Sequence, residues 1–151
     1  MDTQLKTTSG YDLIKYGKQL GLNINITDSG SLVNVRGRPK YVIINLDSEG
    51  PGTHWIAWHY DKELDRISIF DPFGMPVDPR ILRKAKKQAK IARNCRMQVQ
   101  SLTAESCGYW CLIFLYYMKN YSLPIFFSKL HSSEQQKNEE WLRKQFFDLL
   151  K

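Results

Sequence analysis

The chain has 151 residues, 42% of them hydrophobic and 25% charged, enough for one domain with a real core but not comfortably for two. Aromatic residues at 13% favour a packed interior over a disordered chain, and no apolar run approaches the roughly 20 residues that cross a bilayer. The net charge of +7 is a local feature: removing the eight bases between Pro79 and Ala104, a stretch without acids, from the total of 22 leaves 14 bases against 15 acids.

The first residues, Met1-Asp2-Thr3-Gln4, carry no signal-peptide pattern. The expectation is a protein that stays inside a cell or a particle. Cys95, Cys107 and Cys111 are an odd, sparse set, unlike a secreted disulfide scaffold.

In chain order, residues 10–20 are predicted to form an amphipathic helix, with Ser9 as its N-cap and Gly21 as its stop. Asn23–Lys40 is polar and glycine-dotted, a loop with room for a short strand. Tyr41–Leu46 is a β-branched apolar run, the pattern of a buried strand. Ser48–Gly52 is a turn. Thr53–His59 and Arg66–Phe70, separated by the polar Tyr60–Asp65, pair as antiparallel strands. Pro79–Arg93 has helical periodicity, with Ile81, Leu82, Ala85, Ala89 and Ala92 broadly on one side. Met97–Val99 is read as one more strand, and Cys107–Lys119 as a central helix buried all round. A last amphipathic helix, capped by Ser132 or Ser133, turns Trp141, Leu142, Phe146 and Leu149–Leu150 to the core. Together these elements predict a single α+β domain over residues 1–151: a small central mixed or antiparallel sheet packed by helices. The buried central helix bears Cys107 at its N-terminus.

That position matters chemically. A helix N-terminus presents unpaired N–H groups and partial positive charge, which favours a thiolate, the nucleophilic form of cysteine. Gly108 beside it permits close approach of a substrate backbone. A nucleophile needs a base, and the base needs an orienting group. His54 begins one predicted strand and Asp71 ends the next, so an antiparallel pairing puts them at the same end of the hairpin. Acyl transfer also requires donors for the developing oxyanion. The Cys107 N–H and the side chain of Gln100, seven residues upstream, are the candidates. Taken singly, each has an ordinary reading: a buried thiol, a packed histidine, a turn aspartate, a solvated glutamine.

Together, His54-Trp55, Phe70-Asp71-Pro72-Phe73-Gly74, Gln100 and Ser106-Cys107-Gly108 resemble the adenovirus-type cysteine proteases, in a clan that includes the SUMO-specific proteases. The order His, acid, Gln, Cys is the reverse of the Cys-first order of papain-like enzymes. The Gln-to-Cys step looks more like the adenoviral pattern than the SUMO-protease one. The resemblance runs from about Tyr41 to Met118. It implies a thiol protease with His54 as base, Asp71 as orienter, Cys107 as nucleophile and Gln100 as oxyanion donor. It further implies that Trp55 flanks the cleft and restricts cleavage to Gly-Gly or Gly-X sites, as in virion-protein maturation. The acid here is Asp, where adenoviral enzymes usually carry Glu, and the chain is markedly shorter than theirs.

No cofactor is required for this chemistry. Adenoviral enzymes use DNA and a disulfide-linked activating peptide, and these are the two cofactors the resemblance brings into view. For DNA, the candidate residues are Arg80, Arg83, Lys84, Lys86, Lys87, Lys90, Arg93 and Arg96, read as the outward arc of one helix. For the peptide, Cys95 lies upstream of Gln100, at a spacing much shorter than the family's. The implied location is a virion or the host nucleus. Two rival functions belong to other partners: removal of ubiquitin or SUMO-type modifiers, and a nucleic-acid-binding module without catalysis. A zinc site is disfavoured, because His54 and His59 are five apart on a strand and neither CxxC nor HxxxH spacing occurs.

Overall fold

The computed structural model describes residues 8–46, 54–100 and 105–150. The predicted Ser48–Gly52 turn lies outside them. The first helix, α1, spans Gly10–Gln19 and begins with a capping box in which Ser9 and Asp12 satisfy each other's backbone N–H. It ends before Gly21, whose φ of 78° is the left-handed conformation that glycine adopts without strain.

Five strands make one mixed sheet in sequential order. β1 (Asn25–Asp28) runs parallel to β2 (Tyr41–Asn45), β2 and β3 (Trp55–Asp61) are antiparallel, as are β3 and β4 (Arg66–Phe70), and β5 (Ile91–Cys95) runs parallel to β4. β1 is the short strand allowed for in the loop region, and a 3-10 turn at Leu32–Asn34 follows it. β3 is buried along nearly its whole length because both sheet faces are covered. Trp55 and Ala57 point to one core, and Ile56, Trp58 and Tyr60 to the other.

The helix expected over Pro79–Arg93 is two elements. α2 (Pro79–Gln88) starts at an Asp78 N-cap with Pro79 in its first turn and stops at an extended Ala89. Residues 91–95 then leave helical geometry to pair with the free edge of β4. Ladder hydrogen bonds and burial of Cys95 outweigh the local helix preference of this Lys/Ala/Arg-rich run. Met97–Val99 is accordingly not a strand. It is a loop, in which Val99 and Gln100 both donate backbone hydrogen bonds to the Pro72 carbonyl.

α3 (Cys107–Asn120) packs across β3 and is surrounded by α1, α4 (Leu123–Ser128) and α5 (Gln135–Leu149). Its residues from Cys107 to Leu115 are buried except for Tyr109, so an apolar surface all round is what its position demands. α4, which the sequence pattern did not reveal, is a short apolar turn of chain capped by Ser122. The N-cap of α5 is Glu134 rather than Ser132 or Ser133, and it makes no side-chain capping bond. α2 covers the opposite face of the sheet, over Ile67, Ile69 and Trp58.

Candidate active site

The β3–β4 register pairs Ala57 with Phe70. His54, just before β3, and Asp71, just after β4, therefore emerge at the same end of the sheet. His54 Nε2 lies 2.9 Å from Asp71 Oδ1. The Asp71–Gly74 turn fixes the carboxylate: Gly74 N donates to the Asp71 carbonyl (2.8 Å) and Phe73 N to Asp71 Oδ1 (2.8 Å). Gly74 has φ 71°, and a Cβ there would meet the Gln98 backbone N at 2.8 Å, so both conformation and space require glycine. The Phe73 ring stacks on the His54 imidazole, with centroids 4.4 Å apart and planes 15° from parallel.

α3 delivers Cys107 to the same place. Cys107 is its first residue, and Sγ accepts a hydrogen bond from Trp55 N at 3.4 Å, beside His54. Burial opposes a charged His54, but the hydrogen bond and charge of Asp71, with the influence of nearby Cys107, outweigh it and raise the imidazole from 6.5 to about 9. His54 Nε2 serves Asp71, which leaves Nδ1 for the sulfur. A pocket of about 460 Å³ opens on the Asp71 side, lined in part by His54, Asp71, Phe73, Met75, Pro79 and Arg80.

Gln100 is fully buried. Its backbone bond to Pro72 (3.1 Å) holds its loop beside the Asp71 turn, and residues 101–104, which join it to Cys107, lie outside the described part. Trp55 is 3% exposed, with its indole donating to the Thr8 carbonyl at 3.2 Å. Gly108 is covered in the same way, since Thr8 Oγ1 sits where its Cβ would be. Both positions expected to face substrate are thus packed against the residue that leads into α1.

The eight basic residues do not form one helical arc. Arg80 pairs with Asp78 (3.1 Å), and Lys84 donates to the Val33 carbonyl (3.1 Å). Arg93 lies on β5, where it donates to Ser68 Oγ at 2.7 Å. Arg83, Lys86, Lys87, Lys90 and Arg96 are exposed. Cys95 and Cys111 are buried, and burial raises both thiols, Cys111 well above the ordinary value. Among the described residues no cluster of His, Cys, Asp and Glu is arranged to hold a metal ion.

Sequence reasoning missed the supports. Ser106 donates its hydroxyl to both Glu139 oxygens (2.7 and 2.8 Å), and the Trp110 indole donates to Glu139 Oε1 at 3.2 Å. Burial raises the Glu139 pKa, against those two hydrogen-bond donors. The adjacent Asn138 is fully buried: Nδ2 donates to the carbonyls of Val99 (3.1 Å) and His131 (2.6 Å), and Oδ1 accepts from His131 N (2.8 Å). A polar Asn-Glu pair on the inner side of an amphipathic helix was the available signal.

Comparison with known proteins places the chain among homologues of viral proteases. More particularly, its similarity is to the adenovirus proteases. The chain is 31% identical to the protease of Frog adenovirus 1 (strain ATCC VR-896), over 72% of this chain and 62% of that one. Identity to the Bovine adenovirus 7 protease is 31% over 56% of this chain and 49% of the relative. For the Snake adenovirus serotype 1 protease it is 30%, over 54% and 48%. The chain thus spans about half to three-fifths of the length of these curated relatives. No family model matches it. Among solved structures, the fold is shared with ChlaDub1 from Chlamydia trachomatis, at a TM-score of 0.58 and 13% identity over 95% of this chain and 78% of that one. It is also shared with the ASFV pS273R protease, at a TM-score of 0.58 and 15% identity over 94% and 67%.

Proposed function

We propose that this chain is a cysteine protease whose nucleophile is Cys107, base His54 and orienting acid Asp71. The observation that carries this reading is one imidazole held by Asp71 through Nε2 and raised to about 9 by Asp71 and Cys107 together. At neutral pH that imidazole is protonated, so it is ready to act as the acid that expels an amine. In the proposed cycle the proton that His54 carries is the one Cys107 has given up, and the sulfur so freed attacks the scissile carbonyl and an S–C bond forms. The carbonyl oxygen takes the negative charge next to the Cys107 N–H and Gln100. His54 returns the proton to the leaving nitrogen as the C–N bond breaks and a thioester remains. Water, deprotonated by His54, then displaces sulfur and releases the carboxyl product.

The proposed substrates are proteins with small residues at the cut, Gly-Gly or Gly-X, in virion maturation. The adenoviral relatives support this choice and, with it, a place in a virion or host nucleus. For DNA the supporting feature is the exposed Arg83, Lys86 and Lys87 side of α2. A disulfide-linked activating peptide is not included, because Cys95 is 4% exposed at the end of β5.

A glycyl vinyl-sulfone probe should label Cys107 alone. Cys107→Ala and His54→Ala should abolish cleavage of a Gly-Gly peptide, whereas Cys95→Ala and Cys111→Ala should retain it. Activity that survives Cys107→Ala and is lost in Cys111→Ala refutes the assignment. Turnover of ubiquitin-rhodamine in preference to the peptide assigns modifier removal instead. Duplex DNA binding that is absent, or indifferent to salt, removes the DNA proposal.

A further inference from the structure

Four strand ends meet at the end of the sheet that carries His54. β1 and β2 finish there at Asp28 and Asn45, β3 begins at Trp55, and β4 finishes at Phe70. The pocket of about 460 Å³ lies across these ends, bounded by Ser29, Leu46 and His54 and by the chain between Asp71 and Arg80. Each acid in its walls is already paired: Asp71 with His54 at 2.9 Å, and Asp78 with Arg80 at 3.1 Å. Asp78 also caps α2, accepting from Arg80 N at 2.8 Å. Apart from Ser29, what the pocket offers beyond these pairs is apolar: Leu46, the Phe73 ring, Met75, Pro76 and Pro79. Met75 is 55% exposed, a large apolar side chain left to solvent in the same pocket as the proposed base. The chain that carries it is held on both sides. Gly74 fits against the Gln98 backbone and Val77 packs into the core under α2, so this wall is formed before a substrate arrives.

We propose that this pocket is a substrate subsite for an apolar side chain on the leaving side of the cut, within the first three residues after the scissile bond. The proposal rests on the roles given above to Cys107 and His54. In that chemistry the carbonyl carbon is bonded to the Cys107 sulfur while the leaving nitrogen takes its proton from His54. The amine half of the substrate therefore departs past the imidazole. That ring faces the sulfur with one nitrogen and Asp71 with the other. The pocket is lined by His54, Asp71 and Phe73 without Cys107, so it lies past the ring, in the path of the amine half. With its charges neutralised in pairs, it has no counter-charge for an acidic or basic side chain, and burying one there costs desolvation. An apolar side chain gains from burial against Phe73, Met75 and the two prolines. The volume of about 460 Å³ is within the roughly 300–1,000 Å³ of pockets that hold small ligands, so Leu, Met or Phe fits.

The test uses the full chain and two series of substrates. In the first, a Gly-Gly peptide continues for three residues past the cut, and each of these positions carries in turn Leu, Ser, Asp or Lys. In the second, Xaa-Gly-Gly-aminocoumarin with Leu or Ser at Xaa varies the acyl half alone. At one of the three positions after the cut, Leu should raise kcat/KM about tenfold over Ser, Asp and Lys, the worth of a partly buried leucine. Met75→Gln keeps the length of the side chain and makes it polar. In that variant the Leu-to-Ser ratio at the same position should fall about threefold or more. The ratio is internal to each protein, so a change in the reacting groups does not mimic it. Flat ratios at all three positions in the wild type overturn the proposal. So does a preference that Met75→Gln leaves intact, or a Met75→Gln effect that falls on Xaa instead. A wild-type chain that cuts neither series, and whose Cys107 takes no vinyl-sulfone label, defeats the parent assignment and this proposal with it. A labelled, active chain with flat ratios defeats this proposal alone.

Discussion

Asp71→Asn isolates the charge in the His54 pair. The amide keeps an oxygen for Phe73 N, which now donates to Asp71 Oδ1 at 2.8 Å, so the turn should persist. The imidazole loses its anionic neighbour, and burial, the largest single influence on it, already opposes the charged form. Its pKa should therefore fall from about 9 towards 6.5, with Cys107 the one raising influence left. At about 1.4 kcal/mol for each tenfold change in proton affinity, with some solvent screening and the share of Cys107 retained, the lost stabilisation is at most about 2 kcal/mol. The sign follows from a folded-state pKa raised above the unfolded one. The stabilisation is complete below pH 6.5 and disappears as pH rises through about 9. Urea unfolding of both chains under reducing conditions should thus show the full difference at pH 6 and little of it at pH 9.5. NMR of the His54 ring should report the altered titration directly. A stability difference that is flat with pH, or a variant imidazole still titrating near 9, refutes the reasoning. Turnover should fall in the variant while the fold is retained.

Two further substitutions probe the packing around the site. Gly108→Ala places a methyl group inside contact distance of Thr8 Oγ1 and at 3.0 Å from Leu13 Cδ2. It should cost about 1–3 kcal/mol by thermal melting, and adding Thr8→Gly should recover part of that loss. Asn138→Ala removes three hydrogen bonds from buried or half-buried backbone groups of Val99 and His131. It should destabilise the chain by about 2–4 kcal/mol. An Asn138→Ala melting temperature equal to wild type would show that those groups find other partners.

Local chemistry was readable from local sequence. Ser9 with Asp12, then Gly21, marks both ends of α1, because caps are made by residues a few positions apart. Tyr41–Asn45 and Cys107–Asn120 were legible because burial on every side leaves an unbroken apolar run. The chain order His54, Asp71, Gln100, Cys107, with the motifs around each, brought the adenoviral resemblance into view.

What lay beyond the sequence was decided by partners distant in the chain. Residues 91–95 are a strand because β4 offers a free edge to pair with, and nothing within those five residues encodes that edge. Trp55 and Gly108 are closed over because Thr8, about fifty to a hundred positions earlier in the chain, packs on them. Glu139 and Phe73 meet Ser106 and His54 only when α5 packs on the start of α3 and the Asp71 turn folds over the imidazole. Sequence alone singled out the side chains proposed to carry the chemistry, because reactivity belongs to residue type. Tertiary structure decided how those groups are held, because hydrogen bonds act only over the short distances that folding creates.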